Sequence, residues 1–136
     1  MLKIFRANLS GMPFIHSTAR IQIPWNLTMK HRACLGEHTN AYSLGKIDIR
    51  EGATIAQEAY LCTGTHDFND PSLQLITKPI TVGKNAFIGA RAMILPGVCI
   101  GDRVIVGAMS LVSKDVPDHQ IVAGNPAQKI GERTTS

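Results

Sequence analysis

A six-residue repeat runs through the second half of this sequence. From Val82 onward the chain divides into VGKNAF, IGARAM, ILPGVC, IGDRVI, VGAMSL and VSKDVP. The first place of each hexad is Val or Ile, the second is Gly in four of the six, and the fifth is small or β-branched. This spacing fits neither the 3.6-residue period of a helix nor the two-residue period of a simple strand.

Short strands joined by tight corners do fit a six-residue repeat. If each hexad forms one side of a triangular coil, three hexads make one turn, and the first-place aliphatic side chains stack inside it. The small fifth-place residues suit the restricted interior, and Gly eases the backbone at the bends. The same phase appears over residues 49–66 and, two residues out of step, over residues 29–40.

The repeat therefore predicts an all-β fold, a parallel β-helix of hexapeptide repeats. We expect about five coils over roughly residues 12–117, a C-terminal tail over residues 118–136, and a single domain over residues 1–136. The rhythm breaks after His66, in the segment DFNDPSLQL at residues 67–75, where turn-forming residues predict a loop excursion from the coil.

Composition and charge narrow the range of possible functions. Of the 136 residues, 44% are hydrophobic and 18% are charged, which suits a packed core. The net charge of +4 is not gathered into a Lys/Arg run, so no nucleic-acid partner is expected. No apolar run is long enough for a membrane span, and the N-terminus lacks the apolar core of a signal peptide. Cys34, Cys62 and Cys99 are far apart and odd in number, which is typical of reduced thiols and predicts a cytoplasmic location.

The hexads and the segments around them resemble a known family. GDRVIVGAMSLVSKDVPDHQIVAGNPAQKI resembles the bacterial hexapeptide-repeat acyltransferases, and PWNLT, YSLGKIDI and YLCTGTHDFNDPSLQL resemble the colanic acid acetyltransferase type, close to the maltose and galactoside O-acetyltransferases. The likeness covers about residues 12–130. It implies a left-handed parallel β-helix that works as a homotrimer with sites between subunits. It also implies direct transfer, in a ternary complex, of an acetyl group from acetyl-CoA to a hydroxyl of a sugar or polysaccharide precursor, with no metal.

The resemblance places the family's catalytic histidine at His66. Acetyl transfer to a hydroxyl needs a base, and imidazole is matched to neutral pH. The sequence leaves two roles open for Asp67 and Asp70, which either orient the imidazole or form the turns of the loop. Cys62 stands four residues before His66. Its place in the hexad favours packing over a role as acyl-enzyme nucleophile.

Two further sets of residues follow from the resemblance. Asn40, Tyr42 and Trp25 border the acceptor site of a neighbouring subunit, or else Asn40 serves a corner and the two aromatic residues form trimer contacts. Coenzyme A lies between subunits against small residues that each follow a Gly, with an aromatic cover over its thiol arm and basic residues near its phosphates. The alternative for the aromatic residue is an outer-face contact between subunits, and for the lysines a solvated surface. The coenzyme A residues are Phe87, Ala90, Ala108, Ser113, Lys114 and Lys129.

Two other functions remain open at this point. A trimeric coil without catalysis would serve as a scaffold for binding partners. A metal enzyme of the carbonic anhydrase type on the same coil requires three converging histidines. The other four histidines are scattered along the chain, at His16, His31, His38 and His119.

Overall fold

A computed structural model describes residues 7–134 of the chain, so the first six and last two residues of the predicted domain lie outside the described part. The described residues form 19 short strands and a 3₁₀ turn at Pro24–Asn26. The strands are β1 (Asn8–Leu9), β2 (Phe14–Ile15), β3 (Arg20–Ile21), β4 (Leu27–Met29), β5 (Cys34–Leu35), β6 (Asn40–Tyr42), β7 (Ile47–Ile49), β8 (Thr54–Ile55), β9 (Tyr60–Cys62), β10 (Gly64–His66), β11 (Leu75–Thr77), β12 (Ile80–Val82), β13 (Phe87–Ile88), β14 (Met93–Ile94), β15 (Cys99–Ile100), β16 (Ile105–Val106), β17 (Leu111–Val112), β18 (Gln120–Gly124) and β19 (Ala127–Glu132).

Three parallel sheets form the faces of a triangular coil. Face A has the order β1-β4-β7-β12-β15, face B has β2-β5-β8-β13-β16-β18, and face C has β3-β6-β9-β14-β17. The edge strand β19 pairs with β18 in the antiparallel direction. Each turn gives one strand to each face, so the described chain holds five full turns and a sixth that continues through Val116 and β18. The predicted all-β, parallel β-helix is confirmed.

The first and fifth places of the hexads make the core. First-place aliphatic residues point inward from every face, and the small fifth-place residues fill the space behind the corners, as the repeat predicts. From residue 29 to 61 and from residue 82 to 112 all of them are at most 3% exposed. The first-place residues include Met29, Leu35, Ile49, Ile55, Leu61, Val82, Ile88, Ile94, Ile100, Val106 and Val112, and the fifth-place residues include Ala33, Thr39, Ala53, Ala59, Ala86, Ala92, Val98, Val104 and Ser110.

The corners correct one expectation about glycine. The left-handed backbone conformation lies at the fourth place of the hexad, where residues such as Arg91 and Met109 have φ of 58° and 63°. The second-place glycines are not at these positions. A Cβ on Gly89 would instead lie 2.6 Å from the amide nitrogen of Ala108 and from the carbonyl oxygen of Val106, both in the next turn. Close stacking of the turns, rather than the bend, requires glycine at the second place.

All the extra residues of the coil fall at one corner. Paired residues on successive turns lie 18 positions apart late in the chain, as in Met93 and Leu111, and 20 positions apart early in it, as in Asn40 and Tyr60. Every insertion lies between face C and face A. We call the three inserted segments, residues 22–26, 43–46 and 63–79, the insertion corner. They explain why the first hexads run two residues out of step.

Candidate active site

His66 stands on a hairpin that projects from the insertion corner. Strands β10 and β11 pair in the antiparallel direction, with His66 opposite Leu75. The predicted loop excursion is thus a short hairpin whose tip begins directly after His66. Because His66 is the last residue of its strand, its side chain is exposed at the mouth of the loop.

The imidazole of His66 is held by the main chain. Its Nδ1 atom lies 2.7 Å from the carbonyl oxygen of Leu73. A carbonyl oxygen only accepts hydrogen bonds, so Nδ1 carries the proton and donates it to Leu73. In the neutral ring, Nε2 then keeps its lone pair and is the atom able to accept a proton.

Leu73 has an unusual backbone conformation that aims its carbonyl group. Its φ is 51°, in the left-handed region that residues with a Cβ seldom adopt. The amide of Leu73 donates to the carbonyl oxygen of Asp70 at 2.8 Å, and the amide of Asp67 donates to that of Gln74 at 2.8 Å. These hydrogen bonds hold the loop closed on itself and fix the Leu73 carbonyl group beside the imidazole.

The two candidate carboxylates bond the loop backbone. The Oδ1 atom of Asp67 accepts from the amide of Asn69 at 3.0 Å. The Oδ1 atom of Asp70 accepts from the amide and the hydroxyl of Ser72 at 3.0 and 2.9 Å. The hydrogen bond from the Ser72 amide, followed by that from its hydroxyl, lowers the pKa of the Asp70 carboxyl. Both carboxylates thus make the short-range contacts of turn formers.

Tyr42 ends β6 beside the hairpin, and Asn40 begins the same strand at the other end of face C. A Cβ on Gly64 would be 3.0 Å from the Tyr42 ring, so this ring packs across the strand that carries His66. The Tyr42 and Tyr60 rings are 6.0 Å apart. Burial, then the neighbouring Cys62 and Tyr42, raises the pKa of the Tyr60 hydroxyl. Asn40 lines a polar cavity of about 350 Å³ together with Tyr60 and four other residues, Thr18, Arg20, His38 and Glu58.

Cys62 is half-buried at the end of β9. Its thiol donates to the carbonyl oxygen of Gly64 at 3.2 Å. This contact is internal to the strand connection that leads to His66. It agrees with the packing role that the hexad position favours.

The residues assigned to coenzyme A lie in four places. Ala90 and Ala108 stack on consecutive turns at the corner between faces B and C. The amide of Met109 donates to the Ala90 carbonyl oxygen there at 2.9 Å. Phe87 projects from face B and is 42% exposed. Ser113 and Lys114 follow β17, at the corner between faces C and A.

Lys129 lies on the edge strand β19. Its Nζ atom is 2.9 Å from the Oε1 atom of Glu132, and this hydrogen bond and charge lower the pKa of the Glu132 carboxyl. One ammonium proton of Lys129 is therefore directed at Glu132.

Two of the residues assigned to coenzyme A, Ala90 and Ala108, lie at a different corner of the coil from His66. Ala90 and Ala108 stand at one end of face C, whereas the hairpin with His66 leaves from its other end. One hexad separates the two corners, so the distance between them is at most about 20 Å at roughly 3.3 Å per residue. Ala90 and Ala108 therefore lie one face away from the hairpin, whereas Ser113 and Lys114 lie at the same corner as the hairpin, on a later turn.

Residues 7–134 contain no group of three or more His, Cys, Asp and Glu side chains placed to hold a metal ion. In the same part of the chain no helix has the length and apolar character needed to cross a membrane.

Sequence reasoning missed the group that orients His66. The hydrogen bond comes from a main-chain carbonyl group, and Leu73 is an apolar residue in a polar loop, with no side-chain signal of this role. Only the backbone conformation at Leu73 reveals it.

Residues 79–114 match the family described as bacterial transferase hexapeptide (six repeats). The chain is 37% identical over 133 residues to the putative colanic acid biosynthesis acetyltransferase WcaF of Escherichia coli (strain K12), covering 98% of this chain and 73% of that protein. The chain belongs to the hexapeptide-repeat acetyltransferases. As a family member it is an acyltransferase that uses an acyl-CoA as its co-substrate.

Solved structures of this family share the fold. A maltose O-acetyltransferase from Clostridium difficile 630 superposes with a TM-score of 0.89 at 25% identity, covering 98% of this chain and 73% of that one. A mutant of AntD, an N-acyltransferase from Bacillus cereus, in complex with dTDP-4-amino-4,6-dideoxyglucose and coenzyme A, has a TM-score of 0.83 at 24% identity, with 98% and 88% covered. The β-helix of this acetyltransferase is thus a shared scaffold.

Proposed function

We propose that the chain transfers an acetyl group from acetyl-CoA to a hydroxyl group of a sugar or polysaccharide precursor, with His66 as the general base. The observation that carries this proposal is the 2.7 Å hydrogen bond from Nδ1 of His66 to the Leu73 carbonyl oxygen. It fixes the tautomer in which Nε2 is a base. The similarity to a putative colanic acid biosynthesis acetyltransferase supports a saccharide acceptor.

The reaction proceeds by direct transfer in a ternary complex. Nε2 of His66 takes the proton of the acceptor hydroxyl as its oxygen attacks the thioester carbonyl carbon. The tetrahedral intermediate then collapses, the carbon–sulfur bond breaks, and the imidazolium returns the proton to the departing sulfur, which releases coenzyme A as a thiol. The Leu73 carbonyl oxygen stabilises the imidazolium through the Nδ1 proton. General-base catalysis of this kind contributes roughly 10²- to 10⁴-fold.

Asn40 and Tyr42 belong to the acceptor side of the proposed site. Tyr42 packs beside Gly64, two residues before His66, and Asn40 opens onto the polar cavity above face C. The Tyr42 hydroxyl and the Asn40 amide are suited to hydrogen bonds with sugar hydroxyl groups. Asp67 and Asp70 support the same site by shaping the loop.

A second copy of the chain completes the site. Acetyl-CoA lying along Ala90 and Ala108 would be about one face away from His66 of the same copy, so its thioester would reach His66 of a neighbour. Ser113, Lys114 and Lys129 would then meet its adenosine and phosphate groups, and Phe87 its thiol arm. We take this assembly to be a homotrimer, as the family resemblance implies.

Face B offers the surface for that assembly. Its outward side chains stand in register on six successive turns, and most are apolar, which favours burial against another subunit. The row consists of Phe14, Cys34, Thr54, Phe87, Ile105 and Ile121.

A thiol-release assay tests the proposal. Acetyl-CoA is mixed with a panel of mono- and oligosaccharides and with wild type or His66→Ala in parallel. We expect release only with wild type and only with a saccharide present, while His66→Ala keeps its thermal unfolding temperature because the side chain is exposed. If neither protein releases coenzyme A, calorimetry measures whether the wild type binds acetyl-CoA. Binding without turnover leaves a transferase for another acceptor, and no binding leaves a scaffold.

A further inference from the structure

Trp25 is a large, exposed aromatic side chain in a turn that hydrogen bonds hold to the coil. It is 59% exposed, in the 3₁₀ turn at Pro24–Asn26. The amide nitrogen of the Asn26 side chain donates to the carbonyl oxygens of Ser43 and Leu44 at 2.9 and 3.1 Å, which ties the turn to the next coil. A fixed, exposed indole costs free energy unless something covers it in the working protein.

Hydrogen bonds along the insertion corner connect the turn that carries Trp25 to the hairpin that carries His66. The amide of Ile23 donates to the Ser43 hydroxyl at 2.9 Å. One turn further on, the amide of Gly45 donates to the Thr63 hydroxyl at 2.8 Å, and the Thr63 carbonyl oxygen accepts from Lys78 at the base of the hairpin. Trp25 and the hairpin therefore lie on one edge of the coil, two turns apart. Two turns at the spacing of adjacent strands are about 10 Å.

The surroundings of Trp25 favour a saccharide over another protein subunit. A protein interface needs a contiguous apolar area, and in the described chain the long apolar row is on face B. On the insertion corner Trp25 stands among exposed polar residues such as Gln22 and Lys46. A sugar ring has an apolar face of C–H groups, which suits the negative face of an indole, and hydroxyl groups at its edge, which suit polar neighbours.

We propose that Trp25 stacks on a sugar ring of the acceptor, and that the acceptor is a saccharide of two or more rings. The ring to be acetylated lies at His66, and a further ring lies along the insertion corner on the indole. This inference rests on the proposed function, since it names the acceptor class and a specificity-determining residue of the same site.

The chain has a single tryptophan, so intrinsic fluorescence reports on Trp25 alone. The His66→Ala variant is titrated without acetyl-CoA, which separates binding from turnover. The probes are glucose, maltose and maltotriose, galactose and lactose, and oligosaccharide fragments of colanic acid. We expect a saturable change of emission with the di- and oligosaccharides and none with the monosaccharides.

Kinetics supply the second readout. Trp25→Ala should raise KM for the longest accepted saccharide roughly tenfold more than KM for its monosaccharide, because one aromatic contact is worth about 1.4 kcal/mol. Trp25→Phe should restore part of this loss. Met12→Ala, at an exposed residue of the same turn but on the corner between faces A and B, should change neither value.

The outcomes separate this inference from the proposed function. Transfer by wild type with no length preference, or an emission unchanged by every saccharide, overturns the role of Trp25 while the transferase stands. Saccharide binding at Trp25 without transfer leaves Trp25 as a sugar-binding residue but overturns the proposed transfer to a saccharide hydroxyl. If Trp25→Ala changes the molar mass measured by sedimentation and no saccharide changes the tryptophan emission, the indole faces another copy of the chain and the inference fails.

Discussion

The Nδ1 atom of His66 and the carbonyl oxygen of Leu73 are 2.7 Å apart, and this contact depends on a left-handed backbone at Leu73. A strained φ at the residue that orients a catalytic group is a common arrangement at functional sites. With His66 as the proposed general base, the loop of residues 67–74 would act on the reaction through its backbone. Substitutions at Leu73 that change the preferred φ test this role.

Leu73→Gly and Leu73→Val form a matched pair. Glycine adopts a φ of 51° without strain, so we expect Leu73→Gly to keep kcat within about threefold of wild type. Valine is disfavoured there by about 1–3 kcal/mol, so Leu73→Val should lower kcat roughly tenfold or more at unchanged KM for acetyl-CoA. Steady-state kinetics check the pair. Equal effects of the two substitutions would show that the Leu73 carbonyl group does not position His66.

Asp70→Asn separates the two roles that the sequence leaves open. If Asp70 is a turn former, the side-chain amide oxygen of the introduced asparagine replaces the carboxylate as acceptor for the Ser72 amide, and turnover stays close to wild type. Asp70→Ala, which has no acceptor, should lower turnover more. A heavy loss with Asp70→Asn alone would instead mean that the negative charge serves the imidazole.

The loop should also weaken in acid. The Ser72 hydrogen bonds lower the pKa of Asp70 from its ordinary 3.8. A carboxyl with a lowered folded-state pKa contributes its stabilisation above the ordinary value and loses it as the pH falls through the folded-state value. We therefore expect the protection of the Ser72 and Leu73 amides, relative to their intrinsic exchange rate at each pH, to fall only below about pH 4, and Asp70→Asn to remove that dependence. A carbon-detected NMR titration of the Asp70 carboxyl measures the shift directly.

Gly89→Ala should destabilise the coil, whereas Gly131→Ala should not. A Cβ at Gly89 would lie 2.6 Å from backbone atoms of the next turn, and backbone cannot move aside without opening the stack. Overpacking of this kind costs about 1–3 kcal/mol. At Gly131 the nearest atom is a side-chain carbon of Ile121 at 3.8 Å, so the change should stay within about 0.5 kcal/mol. Urea unfolding of the two variants measures the difference, and equal midpoints would contradict the stacking explanation.

Phe14→Asp should weaken the assembly of copies. Phe14 is at the N-terminal end of the apolar row on face B, so in the proposed homotrimer a carboxylate there would be buried against a neighbouring subunit at a cost. Asn8→Asp places the same charge on face A in the same turn and serves as the control. Sedimentation velocity should show a smaller species for Phe14→Asp alone. An unchanged mass for both variants would remove face B from the interface.

The sequence alone determined the coil and its family. Aliphatic residues at the first places and small or β-branched residues at the fifth places leave one compact solution, because each short strand can bury its inward side chain only by stacking on the turns before and after it. The motif around His66 was equally local, since its residues are contiguous in the chain. These features depend on neighbours in sequence or on a strict period, which a reader of the sequence can count.

Tertiary structure decided which distant residues meet. That the insertions before Leu27, Ile47 and Ile80 all fall at one corner follows from the stacking of turns 20 and 33 residues apart. The partner of His66 is a backbone carbonyl group whose direction is set by φ at Leu73, and backbone direction has no counterpart in residue type. Likewise, glycine at the second place reads as flexibility in the sequence, while in the fold it is the absence of a Cβ between two turns in contact.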